Sequence, residues 1–193
     1  MSTADDVKDA EDGRPAWRRR LIARRPRDPA IHAALHARLL DWLMQRPESG
    51  IGAYWPIRGE FDPLPALRLW QQADAPRRQI ALPVMDQTRR TLAFHAWRPG
   101  CRMADGGWGI LQPRGTPALA PALLLVPCVG YASGGLRLGY GGGFYDRTLA
   151  ALHPRPATLG LAFAEARVPG LMREPHDVPL DAILTESGLL SFQ

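Results

Sequence analysis

The chain has 193 residues, 46% of them hydrophobic and 22% charged, with 24 basic against 19 acidic side chains and a net charge of +5. That composition is ordinary for a globular protein, and the length suits one domain with a substantial buried core. It excludes a disulfide scaffold or a CxxC metal site, because the two cysteines, Cys101 in a polar loop and Cys128 in an apolar run, are isolated. The most apolar stretch, 117–132, is interrupted by Pro121 and Pro127 and is too short to span a bilayer.

Residues 1–13 are acidic and polar. They read as a disordered tail and as neither a signal nor a transit peptide, so a cytoplasmic location is expected. Lys8 is the only lysine, and the basic excess is local: Arg14, Arg18, Arg19, Arg20, Arg24, Arg25 and Arg27 follow one another without an acid between them. A polynucleotide or a small partner with several phosphates fits that cluster equally well. A solvated basic helix fits it too.

Pro15 predicts a helix start running to about residue 25, with Trp17 and Leu21 on one face. A second helix is expected over 29–45, where Ile31, Leu35, Leu39 and Leu43 form an apolar stripe. His32 and His36 have zinc-compatible spacing but no supporting Glu-x-x-His context, and are read as an exposed helix face. Residues 51–57 read as a strand, with Glu60 and Asp62 just beyond it, where open α/β sheets place ligand groups. Pro63 starts a short helix with Leu64, Leu67, Leu69 and Trp70 partly inward. Strands are expected over 79–84, 91–97, 123–129 and 158–163 and around 182–185, the 91–97 strand at an edge or in a hairpin. Residues 98–115 are turn-rich, and Trp108 between glycines suits either a packing lid or a stacking surface for a flat ligand. A helix is expected over 144–152. Strands alternating with helices predict a single α/β domain with a largely parallel sheet.

The densest signal is Arg137-Leu138-Gly139-Tyr140-Gly141-Gly142-Gly143-Phe144-Tyr145-Asp146-Arg147, which follows the apolar 123–129 strand. Four glycines in five positions free the backbone to approach a ligand. A strand, a glycine loop and a helix start together present N–H groups to phosphate. Arg137 and Arg147 add charge suited to anions, and Asp146 adds a hard oxygen for a cation. Neither the P-loop nor the dinucleotide fingerprint fits, and a tight turn between strand and helix is the alternative reading.

Four motifs in order carry a resemblance: Arg14-x-x-x-Arg18; Tyr54-Trp55-Pro56-Ile57-Arg58-Gly59-Glu60; Gly107-Trp108-Gly109-Ile110 followed by Pro113; and Leu125-Val126-Pro127 leading to the glycine loop. With the C-terminal Val178-Pro179-Leu180-Asp181, they make residues 14–187 resemble the 5-formyltetrahydrofolate cyclo-ligase family, also called 5,10-methenyltetrahydrofolate synthetases. The resemblance implies one cyclo-ligase α/β domain over 14–193, similar to the NagB/RpiA/CoA-transferase type, with one sheet face covered by the N-terminal helices. It implies ATP and Mg²⁺, small-molecule substrates, no nucleic acid, no membrane and a monomer.

By resemblance, ATP is expected at Arg14, Arg18, Arg137, Leu138, Gly139, Tyr140, Gly141, Gly142, Gly143, Phe144 and Tyr145. Catalytic roles are expected for Arg137, Tyr140 and Arg147, and metal binding for Asp146 and Asp181. The folate is expected at Trp55, Glu60, Trp108 and Tyr140. Some relatives carry a lysine at the position of Gly142 and a basic residue at that of Tyr140; Arg137, Arg147 or the N-terminal arginines are expected to compensate. A non-catalytic folate- or nucleotide-binding homologue, or a nucleic-acid-binding module using the arginine helix, are the alternatives.

Overall fold

The structure is a computed structural model and describes residues 4–192, with side chains from 13 onward. In chain order the elements are α1 (Ala4–Ala23), α2 (Pro29–Met44), β1 (Gly50–Gly52), α3 (Leu64–Gln72), β2 (Gln79–Asp86) and β3 (Thr91–Trp97). Short strands follow: β4 (Met103–Asp105), β5 (Leu111–Pro113), β6 (Ala118–Leu119), β7 (Leu123–Pro127), β8 (Gly130–Tyr131) and β9 (Arg137–Leu138). The chain ends with α4 (Phe144–Ala151), β10 (Ala157–Leu161), β11 (Ala182–Thr185) and β12 (Gly188–Ser191).

One eight-stranded sheet has the order β12-β11-β10-β7-β1-β2-β3-β6. Its five central strands, β11, β10, β7, β1 and β2, are parallel, and the edges are antiparallel. The run Leu123-Leu124-Leu125-Val126 in β7 is fully buried because both faces of this strand are covered. Leu123 and Leu125 join Leu35, Leu39 and Leu43 of α2 and Leu67 and Trp70 of α3 on one face. Leu124 and Val126 meet Trp17 and Leu21 of α1 and Leu149 of α4 on the other. The two N-terminal helices therefore divide between the faces, where the resemblance implied that both would cover one.

α2 starts where Pro29 follows Asp28, whose carboxylate accepts from the Ala30 N–H at 2.8 Å. α1 is broken at Gly13 (φ 73°), two residues before Pro15. The expected tail thus contains helical turns from Ala4 to that break, while Met1 to Thr3 lie outside the described residues.

Strand β1 is shorter than the expected 51–57 because the chain leaves the sheet after Gly52. The sheet is crowded at Gly52: a Cβ there would lie 2.5 Å from Leu124 Cδ2 and would force that buried side chain to shift. Leu69 faces outward at 54% exposure, whereas Leu64, Leu67 and Trp70 are buried. His32 and His36 are not on an open face, since their rings pack against Phe61, with His36 at 4.5 Å between centroids.

Candidate active site

The chain runs from β1 through α3 to β2 on one side, and from β7 through α4 to β10 on the other. β1 and β7 are neighbours, so the crossover direction reverses between them and opens a crevice at their carboxyl ends. Both informative motifs leave the sheet there. Residues 54–60 follow β1, and the glycine loop lies downstream of β7. They line a cavity of about 800 Å³.

On the β1 side, the Tyr54 hydroxyl donates to the Phe61 carbonyl at 2.8 Å and closes the loop. Within it, Glu60 Oε2 accepts from the Ile57 N–H at 2.9 Å, and Oε1 accepts from the Tyr140 hydroxyl at 2.9 Å. Burial raises the Glu60 carboxyl above its ordinary range; the Ile57 N–H, the Arg25 charge and the Tyr140 hydroxyl oppose that rise. Trp55 lines the same end. Asp62 does not: it caps α3 through the Leu64 N–H at 2.9 Å.

On the other side, Gly141 (φ 92°) and Gly143 (φ 66°) hold the loop in the left-handed region. Gly143 precedes α4 with no side-chain cap, which leaves the first N–H groups of that helix for an anion. Arg18 Nε donates to the Gly139 carbonyl at 2.7 Å, and its guanidinium carbon would sit 3.3 Å from a Cβ at Gly141. Burial, then the charge of Arg14, lowers the Arg18 pKa. Arg14 is more committed. It bonds Asp177 at 2.6 Å and Glu174 at 3.1 Å, and the Asp177 contact raises its pKa. Burial pushes the Asp177 carboxyl up, but the hydrogen bonds from Arg14 and the Glu174 N–H win and hold it below the usual range.

Arg137 is 8% exposed and donates to Asp146 Oδ1 at 2.5 Å and to the Val178 carbonyl at 2.6 Å. It reaches the cavity as the partner of Asp146, not as a free cation. Phe144 and Tyr145 also line the cavity, and the Tyr145 hydroxyl is buried without a hydrogen-bond partner among the described residues. Trp108 (φ 55°) stands 63% exposed at the mouth, its ring edge-on to Phe144 at 6.1 Å.

Three expected site residues lie elsewhere. Leu138 is fully buried in the core, so only its backbone belongs to the loop. Arg147 turns away from the cavity: its guanidinium donates to the Gly142 and Arg90 carbonyls and fixes the loop from behind. Asp181 sits at the opposite, amino end of β10 and β11, where Oδ2 accepts from the Thr158 N–H at 2.7 Å and hydroxyl at 2.8 Å. It joins two strands and does not face Asp146. A carboxylate that lines the cavity together with Asp146 is Asp177, and the next residue, Val178, donates its N–H to Asp146 Oδ1 at 3.1 Å. Its place one residue before the Val178-Pro179-Leu180 motif was the signal available in the sequence.

The sequence model of the 5-formyltetrahydrofolate cyclo-ligase family matches residues 15–186. The chain belongs to this family. A 5-formyltetrahydrofolate cyclo-ligase of Haemophilus influenzae is 33% identical over 153 residues, covering 75% of this chain and 80% of its own length. One from Escherichia coli K12 is 30% identical over 145 residues, covering 71% and 78%. Two solved structures share the fold. The 5,10-methenyltetrahydrofolate synthetase of Aquifex aeolicus matches with a TM-score of 0.74 at 23% identity, covering 93% of each chain. That of Mycoplasma pneumoniae matches with a TM-score of 0.70 at 20% identity, covering 90% of this chain and 99% of the other. The described residues include no helix long and apolar enough to cross a membrane.

Proposed function

We propose that the chain converts 5-formyltetrahydrofolate to 5,10-methenyltetrahydrofolate and consumes ATP, releasing ADP and phosphate. The observation that carries this reading is one crevice with a buried acid, Glu60, beside Trp55 at one end and an uncapped helix start with Arg18 at the other. The first end suits a reduced pterin, whose ring N–H groups need an oriented acceptor. The second suits a triphosphate.

The chemistry explains why both are needed. The formyl oxygen is a poor leaving group, so its attack on the γ-phosphate, which expels ADP, makes it one that can leave as phosphate. N10 then adds to the activated carbon, and loss of phosphate completes the methenyl bridge. Phosphoryl transfer depends on positioning and on neutralising charge over the moving group. The loop N–H groups and Arg18 hold the phosphates; Glu60 fixes the pterin so that its formyl oxygen points along the crevice. Tyr140 spans the two halves, its hydroxyl on Glu60 and its backbone in the loop. Trp108 covers the open side.

The donor set fits a hard divalent cation. Asp146 lines the cavity; its Oδ1 is engaged by Arg137 and the Val178 N–H, while Oδ2 has no hydrogen-bond partner among the described residues. Mg²⁺ typically takes one or two carboxylates together with phosphate oxygens, and bound here it would neutralise phosphate charge. Asp146 would hold it, with Asp177 nearby. The small-molecule partners, a monomeric state and a cytoplasmic location belong to the same reading.

The test is direct. Purified protein mixed with Mg-ATP and 5-formyltetrahydrofolate is expected to generate the near-ultraviolet absorbance of the methenyl product, and an ATP-independent or absent rise removes the assignment.

A further inference from the structure

Arg25 is, in the sequence, one more member of an arginine run just past α1. In the structure its side chain is only 7% exposed and turns inward. Nη1 lies within hydrogen-bond distance of three oxygens: the carbonyls of Ile57 at 3.3 Å and Arg58 at 2.7 Å, and the Tyr140 hydroxyl at 3.0 Å. Nη2 lies 3.8 Å from Glu60 Oε1 and has no hydrogen-bond partner among the described residues. The guanidinium carbon also sits 5.7 Å from the centre of the Tyr140 ring.

The turn so gripped closes on itself only between residues 57 and 60, through the Glu60 N–H on the Ile57 carbonyl at 3.0 Å and the Ile57 N–H on Glu60 Oε2, and its tip is strained. Arg58 (φ 50°) and Gly59 (φ 75°) are both left-handed, which a non-glycine residue adopts only when surrounding contacts enforce it. Two of its carbonyls end on Arg25, and Glu60 follows immediately. We propose that Arg25 is a positioning residue for the formyl-folate half of the reaction: its guanidinium pins the 57–60 turn and the Tyr140 hydroxyl, presenting Glu60 as an oriented acceptor. The inference rests on the function proposed above.

Charge supports the geometry. The groups facing Glu60 are Arg25 from the end of α1, Arg58 from its own turn, and Tyr140 from the glycine loop. Tyr54 after β1, Tyr145 of α4 and Cys128 after β7 also face it. Burial pushes the phenols up, Tyr140 to about 12, and the thiol to about 12, so these groups stay neutral in an ordinary assay range. The charges that set the ionisation of Glu60 are then the two arginines, and only Arg25 also holds the turn.

The experiment measures KM for each substrate, and kcat/KM for the folate against pH, in the full chain and in Arg25→Ala. Loss of a charge-assisted contact set is expected to raise the folate KM about tenfold or more while the ATP KM stays within about twofold. Removing the positive charge raises the Glu60 pKa, so the acid limb of the folate profile moves upward by about one pH unit. Arg25→Lys keeps the charge without the fork; the limb stays in place and the folate KM is intermediate. An unchanged folate KM and acid limb in Arg25→Ala, or an equal rise in both KM values, overturns the proposal. Should circular dichroism show Arg25→Ala unfolded, Arg25→Lys decides, and an unchanged folate KM or a displaced limb counts against the role. A wild-type chain that forms no methenyl product removes the cyclo-ligase reading itself, whereas an active wild type with an indifferent Arg25→Ala removes the Arg25 role alone.

Discussion

We propose that Arg18 fills the phosphate-facing role that the sequence left open among several arginines. A lysine at position 142 would require the Phe144 ring to shift, because a Cβ on Gly142 would lie 2.9 Å from it. Of the expected substitutes, Arg137 is bound to Asp146, Arg147 faces away and Arg14 is paired with two acids. Among the described residues Arg18 spends only Nε, on the Gly139 carbonyl, and its Nη groups lie against Gly141 of the loop. Arg18→Ala is therefore expected to raise the ATP KM about tenfold or more with the folate KM nearly unchanged, since a charge-assisted hydrogen bond contributes about 1.5–3 kcal/mol. Steady-state kinetics check it, and normal ATP saturation would return this arginine to a structural role. Asp181 carries the opposite expectation. Asp181→Ala removes two hydrogen bonds to Thr158 and should cost about 1–3 kcal/mol of stability in a denaturant titration while the Mg²⁺ dependence stays as in the wild type. A lost response to Mg²⁺ would restore it as a metal ligand.

At the scale of elements, the sequence was most informative where burial alone decides structure. β7 was legible because both of its faces are buried, and α2 because its leucines recur at the helical period. The glycine loop was legible as a loop for an equally local reason: Gly141 (φ 92°) and Gly143 (φ 66°) take left-handed values. What was illegible depends on partners distant in the chain. Among the described residues β12 pairs with β11, β8 with β9, and β4 with β5 inside a stretch that read as turns. Strands of two to four residues leave no alternation to read. The arginines were legible as charge but not as roles, because the roles are set by Asp177, Asp146 and the 57–60 turn, none adjacent in sequence. The crossing at Gly135 tests how tightly such distant partners bind the fold. Gly135 (φ 72°) accepts from the Leu180 N–H at 2.9 Å, and a Cβ there would fall 2.1 Å from the Leu180 carbonyl oxygen. Gly135→Ala combines left-handed strain with a backbone clash, so a loss of about 3 kcal/mol or more is expected in urea. A wild-type midpoint would mean that the 178–181 segment yields easily.

At the scale of the molecule, the crevice exists because crossovers run both ways from β1 and β7, and that places an acid in an expensive position. Glu60 is 4% exposed at its side chain, and burial raises its pKa despite Arg25, Ile57 and Tyr140. A carboxyl whose folded pKa lies above its unfolded value stabilises the fold most when protonated. That contribution is complete below the ordinary glutamate range and is lost as pH rises through the raised value. Ionising this carboxyl in the folded chain therefore costs stability, a cost kept for the substrate it faces. Glu60→Gln imitates the neutral acid. It is expected to raise the folate KM about tenfold or more, because a charged acceptor becomes a neutral one, while the ATP KM is preserved. Its thermal midpoint at neutral pH should be no lower than that of the wild type, and any advantage should shrink as pH falls and the wild-type acid takes up its own proton. Melting curves of both proteins across that range check the linkage. A Glu60→Gln variant that melts well below the wild type at neutral pH, yet binds folate normally, would make Glu60 a structural acid and move the pterin end of the crevice elsewhere.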